Sequence, residues 1–210
     1  MHISEGILST PVWVTGYAAT AVLATLTMRN MDMEEVPKIS VITSVFFIAS
    51  LIMVPIGPTS IHLILNGLVG IVLGWRAFPA ILLGIILQAI IFGHGGITVI
   101  GINTLMMGGG ALLAYLVWQQ RHRFNFKRRE FIFGAMAGAV ATISSGTILA
   151  MALVTTGEEF TGMAATVLIA HIPIMIIEAA VVGASAEFLN KTKPEILAGG
   201  RRRQPGVTQA

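Results

Sequence analysis

Neither the stretch between Lys38 and Arg76 nor the stretch between Arg76 and Arg121 contains a single Lys, Arg, Asp or Glu. A helix crosses the hydrocarbon core of a bilayer with about 20 apolar residues, in a range of about 17 to 25. Uncharged runs longer than that cannot cover themselves in water, so lipid is their natural solvent. Composition agrees: 55% of the residues are hydrophobic and 11% charged, against about 25% charged in an average soluble domain. The expected fold is therefore all-α. It is one polytopic membrane helical bundle over residues 1–190, followed by a basic cytoplasmic tail, 191–210.

Breaks at Gly, Pro and charge clusters divide the bundle into seven candidate transmembrane helices, over 7–28, 39–56, 60–75, 77–92, 98–119, 131–155 and 163–190. The third and fourth flank "GWRAFP". Fused into one helix they would leave six spans, but Arg76 and Pro79 argue for a turn. Orientation follows from Lys and Arg in short loops. "RHRFNFKRRE" and "NKTKPEILAGGRRRQ" belong in the cytoplasm, and the acidic "TGEEFTG" between them belongs outside. Counting back puts Arg29, Lys38 and Arg76 inside. The N-terminus, Pro58 and His94 are then outside. There is no basic n-region and no small-residue cleavage site, so no separate signal peptide is expected.

This arrangement gathers most of the metal-binding residue types on one face. There are no cysteines, which excludes disulfides and thiolate sites. The N-terminal "MHISEG" offers three nitrogens: the Met1 amine, the His2 amide and the His2 imidazole Nδ1. In fused chelate rings these suit a square-planar ion, Ni(II) or Cu(II). His62, on the same side, is the natural fourth donor. The bland alternative is that His2 is an interfacial residue with no ligand. In "VPIGPTSIHLILNGLVGIVLGW", Ser60 is a candidate cap, and His62, Asn66, Gly70 and Gly74 recur every fourth residue on one helical face. In "LQAIIFGHGGITVIGINT", Gly93, Gly95 and Gly96 allow a tight turn that another segment can approach. Asn66, Gln88, His94 and Asn103 are candidates to support the ligands. For Gln88 and Asn103, plain interhelical hydrogen bonding is the competing reading, and for His94 plain solvation.

Other features are weaker. His171 and Glu178 lie two turns apart on one face, which would suit a proton path or a satisfied structural pair. Gly134, Gly138, Thr142 and Gly146 make a close-packing stripe, and Gly16, Thr20 and Ala24 a similar one. No GxxxxGK[ST] is present, so the chain has no ATP site of its own. There is no HExxH. Ser144 and Ser145 with His171 lack a glycine-flanked nucleophile motif, which disfavours an intramembrane hydrolase.

"MHISEG", "VPIGPTSIHLILNG" and "LQAIIFGHGGITVIGINT" together resemble the CbiM/NikM family, the substrate-specific membrane subunit (S component) of nickel and cobalt energy-coupling-factor transporters. The resemblance implies a metal-capturing importer subunit, not an enzyme. It implies metal ligands at Met1, His2 and His62, with Ni(II) or Co(II) as the transported substrate and no other cofactor. It also implies a transmembrane coupling (T) component, a cytoplasmic ATPase pair and a small accessory membrane subunit as partners. Many members have an acidic residue where this chain has His94. The chain is expected in the cell (inner) membrane as a multi-pass protein, with Gly16, Thr20 and Ala24 as the contact surface for the coupling partner. A self-sufficient proton-coupled metal transporter is the alternative.

Overall fold

The computed structural model describes residues 2–51, 53–56 and 59–199, with the side chains of 53–56 and 59–62 outside that description. Seven α-helices and one short hairpin follow in chain order: α1 Thr10–Met28, α2 Val36–Ala49, β1 Met53–Ile56, β2 Thr59–His62, α3 Asn66–Leu73, α4 Ala77–Phe92, α5 Ile100–Gln119, α6 Arg129–Thr156 and α7 Thr161–Thr192. Among the described residues, five stretches are long and apolar enough to cross a membrane: α1, Asn66–Phe92, Ile100–Arg123, α6 and Glu158–Thr192. The chain is thus a membrane-type helical bundle.

Cross-contacts give the direction of each helix. Gly16 and Thr20 meet residues 101–102, and Ala24 clusters with Leu112, so α1 runs parallel to α5. Thr43, Phe46 and Ser50 meet Ala80, Gly84 and Gln88, so α2 runs parallel to α4. Gly70 faces Ala111 and Gly74 faces Tyr115, while Phe78 returns to Gly108. Within Asn66–Phe92 the chain therefore doubles back. The turn is at Gly74, whose φ of 61° is open to glycine at little cost. Arg76 then secures it, bonding Glu35 at 2.8 Å and the backbone carbonyls of Thr27, Arg29 and Asn30. The turn expected from Arg76 and Pro79 is present.

The hairpin corrects the expected spans 39–56 and 60–75. The helix before it stops at Ala49 and the one after it starts at Asn66. Pro55 accounts for the break; Gly57 and Pro58, also expected to force a turn, lie outside the described residues. Proline lacks the N–H that a helix interior needs, and the chain reverses between strands pairing Met53 with His62 and Pro55 with Ser60. Ser60 is consequently a strand residue and not a helix cap. His62 cannot share a helical face with Asn66, because Leu65 between them adopts a left-handed backbone, φ 54°. The hairpin is a local interruption of an otherwise helical bundle.

Glycine sets the packing. Without a hydrophobic drive between helices in lipid, close approach through small residues holds them together. A methyl group on Gly67 would lie 2.8 Å from Gly138 Cα, and one on Gly110 2.7 Å from the Ala141 carbonyl oxygen. The α6 stripe does what its spacing suggests. Gly134 meets Ala186, Gly138 meets Glu178 and Gly146 receives the His171 ring. The α1 stripe has a different role from the one expected. Gly16 packs on Ile102, Thr20 donates to the Gly101 carbonyl at 2.6 Å and Ala24 is buried. Gly16, Thr20 and Ala24 form a seam between α1 and α5. Val14, Val22 and Leu26 form the exposed face of α1.

The first part of the expected tail is also folded. α7 continues to Thr192, Leu197 is buried and the Ala198 N–H donates to the Ile71 carbonyl at 2.9 Å. The Ala198 carbonyl accepts from Trp118 Nε1 and Arg121. These bonds satisfy the carbonyl at the end of α3 and two buried donors, which fixes the segment to the bundle.

Gly67→Ala is expected to destabilise the bundle by about 1–3 kcal/mol, since the backbone of Gly138 must move. Gly109→Ala, which meets only Ile148 Cδ1 at 3.7 Å, should be neutral or slightly stabilising through helix propensity. Thermal melting of the two purified variants makes the comparison; equal midpoints would contradict the packing account.

Candidate metal site

The N-terminal segment is built into the fold. Ile3 and Leu8 are buried in the main hydrophobic core. Asn103, in the first turn of α5, holds Ile3 on both sides: the Ile3 N–H donates to Asn103 Oδ1 at 3.0 Å, and Asn103 Nδ2 donates to the Ile3 carbonyl at 3.2 Å. A side-chain amide thus supplies the donor–acceptor pair of a neighbouring strand. The 93–99 turn closes over the segment. Gly95 and Gly96 have φ of 82° and 104°, and a methyl on Gly95 would sit 2.7 Å from Asn103 Nδ2 and 3.3 Å from the Ile3 carbonyl oxygen. Gly96 leaves room for Glu5. The close approach anticipated from "GHGG" is therefore real, and its occupant is residues 3–5.

His2 is oriented by a polar chain running through α4 to α2. The Ser50 hydroxyl donates to the Phe47 carbonyl at 2.6 Å, so its oxygen accepts from Gln88 Nε2 at 2.7 Å. That sets the Gln88 amide with its oxygen toward His2, where Oε1 lies 2.7 Å from His2 Nε2. A carbonyl oxygen only accepts, so Nε2 carries the proton and Nδ1 the lone pair. Nδ1 is the ring nitrogen that closes a chelate ring with the residue's own amide. Gln88 is fully buried, and one turn earlier Gly84 packs against the Phe46 ring.

Burial pushes the His2 imidazole down from its ordinary value to about 4. The Gln88 bond opposes that shift and nearby His94 adds to it. At neutral pH the ring is therefore uncharged and able to bind a cation. His94 stands half-buried beside it, ring centroids 5.9 Å apart, at the left-handed end of α4.

The other sequence candidates are placed as follows. Met1 and the side chain of His62 lie outside the described residues; the His62 backbone ends β2. Asn66 is buried, but its amide serves other elements, donating to the Met107 carbonyl at 3.2 Å and Ser145 Oγ at 2.9 Å. It ties α3 to α5 and α6. Among the described residues no group of three or more His, Asp or Glu gathers as a metal cluster. His171 and Glu178 serve different partners. His171 Nδ1 bonds the Val167 carbonyl at 2.6 Å within its own helix. Glu178 accepts from the backbone N–H groups of Ile64 and Leu65. Ser144 donates to the Val140 and Ala141 carbonyls of its own helix.

Two contributors escaped the sequence reading. Ser50 reads as one more polar residue in an apolar stretch, and only its contact with Gln88 shows its part. Glu178 was legible as an intramembrane acid, but not as a partner of residues 64–65.

The lowered His2 value gives docking of the segment a pH dependence. The docked imidazole stays neutral down to about pH 4, whereas a released one takes a proton below about 6.5. Docking is thus at full strength above about pH 6.5. Below that it loses up to ~1.4 kcal/mol per pH unit as pH falls toward 4. Protection of the Ile3 amide against hydrogen exchange, corrected for the intrinsic rate, should fall between pH 7 and pH 5. Constant protection would show that His2 leaves water with its proton.

Comparison with known proteins agrees with this fold. Residues 2–196 match the family described as CbiM, cobalt uptake substrate-specific transmembrane region. A metal transport protein of Haemophilus influenzae is 31% identical, covering 94% of this chain and 97% of its own length. The fused nickel transport protein NikMN of Rhodobacter capsulatus is 28% identical, over 100% of this chain and 67% of its own. The cobalt transport protein CbiM of Sorangium cellulosum is 27% identical, over 94% of each chain. Among solved structures, a transition metal transporter superposes with a TM-score of 0.73 at 24% identity, covering 91% of this chain and 93% of the other. With residues 2–196 matched, the chain belongs to the CbiM family of cobalt-uptake substrate-specific transmembrane proteins.

Proposed function

We propose that this chain is the metal-capturing S component of an ATP-driven nickel or cobalt importer. The observation that carries the reading is the docked N-terminal segment. Gln88 holds the His2 proton on Nε2, Asn103 grips Ile3 from both sides, and burial keeps the ring neutral. In this reading His2 Nδ1 joins the main-chain nitrogens of residues 1 and 2 in one chelate. Met1 supplies the amine, His2 the amide and imidazole, and His62 the fourth nitrogen. Four nitrogens in a plane favour a d8 ion, so Ni(II) is preferred over Co(II). The amine and the amide nitrogen give up protons as the metal binds and regain them as it leaves; the chain binds, orients and releases, and is not an enzyme.

The same proposal fixes orientation. Arg29, Arg76, Arg121 and Lys191 belong to one end of the bundle, and His2, His94 and Glu158 to the other. The helix directions alternate between those ends. By the positive-inside rule the basic end faces the cytoplasm, so the chain makes seven passes with the N-terminus outside, α3 with its hairpin counting as one. The protein then sits in the inner cell membrane. Energy comes from a T component and a cytoplasmic ATPase pair, with a small accessory membrane subunit. Their contact surface must be sought on exposed faces such as Val14, Val22 and Leu26, because the glycine seam is used internally.

Adding one residue before Met1, or acetylating its amine, should abolish tight Ni(II) binding by the detergent-purified protein without lowering its melting temperature. His62→Ala should remove one donor and act similarly. Unchanged Ni(II) titration of the extended protein would refute the chelate. Gln88→Leu, which frees the imidazole tautomer, is expected to weaken Ni(II) binding about 10- to 100-fold, read by the same titration.

A further inference from the structure

Glu178 is fully buried in α7. Among the described residues the ion pairs join Arg76 to Glu35, Arg128 and Lys191 to Glu187, and Arg129 to Glu130; Glu178 has a part in none of them. Its carboxylate is met by main chain instead. Oε1 accepts from the Ile64 N–H, and the Leu65 N–H reaches Oε1 at 3.1 Å and Oε2 at 3.2 Å. These donors belong to the two residues just before α3.

The segment so held is unusual. Leu65 has φ 54° and ψ 10°, a left-handed conformation that costs a side-chain-bearing residue. It must be sustained from around it. Asn66 sustains one side through α5 and α6, also accepting the Gly67 N–H at 2.9 Å. Glu178 sustains the other from α7. Ile64 is two residues from His62, so the chain between them spans at most about 7 Å. Whatever fixes Ile64 limits where residue 62 is presented.

We propose that Glu178 is the positioning residue of the hairpin: its carboxylate holds the left-handed turn at Ile64–Leu65 and thereby presents His62 to the metal docked at the N-terminal segment. This rests on the reading of His62 as a metal donor. It also makes α7, through Glu178, the helix whose movement would withdraw one ligand while leaving the His2 side of the site in place.

The test uses the full chain, detergent-purified, with Glu178→Ala and Glu178→Gln, and two independent readouts. Without metal, hydrogen exchange at Ile64 and Leu65 should speed up at least about tenfold in Glu178→Ala, because neither donor keeps its acceptor. Ile3 protection should be unchanged, as a control that the bundle is intact. With Ni(II) alone as probe, Kd should rise about tenfold if the competent hairpin population falls to about one tenth. Glu178→Gln, whose amide oxygen still accepts, should keep most of both properties. Leu65→Gly placed in the Glu178→Ala background should regain part of the affinity, since glycine adopts the left-handed turn unaided.

Unchanged exchange at residues 64 and 65 in Glu178→Ala overturns the proposal. So does faster exchange with undiminished Ni(II) affinity. If His62→Ala itself binds Ni(II) normally, the metal-donor reading fails, and the link from Glu178 to the metal fails with it. If Glu178→Ala does not fold, Glu178→Asp, which keeps the charge but withdraws it by one methylene, carries the same comparison.

Discussion

A backbone buried in an apolar bundle must find hydrogen-bond partners within the protein, because lipid offers none. That constraint weighs most heavily where helical structure is interrupted, between Ala49 and Asn66. Here the chain meets it in three ways. Two four-residue strands pair with each other, a buried carboxylate from α7 accepts the buried N–H groups at 64 and 65, and Asn66 caps the following N–H while bonding α5 and α6. Glu178 and Asn66 thus complete the passage from the hairpin into α3.

The same economy governs the N-terminal segment. Among the described residues it has no regular secondary structure before Thr10, so its polar groups also need partners. Asn103 imitates a strand edge for Ile3, and Gln88 receives the His2 ring. Both amides come from the helices on either side of the 93–99 turn, whose glycines let the segment pass close beneath it. α5 is the common wall. It packs against α1 through Gly101, α4 through Gly108 and α6 through Gly110, and its first turn carries the clamp. Tight helix packing and placement of the site are therefore one arrangement.

Much of this was legible. Glycine spacing on α6 announced a packed seam, and "GHGG" a turn made for close approach; in both cases the residue type admits few uses. Gln88 and Asn103 stood out because a buried amide in an apolar helix must be bonded. The stripe Gly16, Thr20 and Ala24 misled, since small residues mark a close contact without naming which helix makes it. The periodic row from His62 to Gly74 misled too. Its four-residue spacing is genuine from Asn66 onward, but the left-handed Leu65 carries nothing in its side chain to signal a break.

The sequence by itself determined the membrane-type helical bundle, the basic end of it, the turn before Arg76 and the chemistry available at "MHISEG". Those follow from local composition: charge-free runs, glycine and proline breaks, and the donor atoms of named residues. Only the tertiary structure decided that Ser50 orients Gln88, that the α1 stripe is spent on α5, and that an acid on α7 holds the turn two residues beyond His62. Each of those joins positions far apart in the chain, from 38 residues for Ser50 and Gln88 to 113 for Leu65 and Glu178. A hydrogen bond across such separations depends on which helix faces meet, and no stretch of sequence encodes that alone.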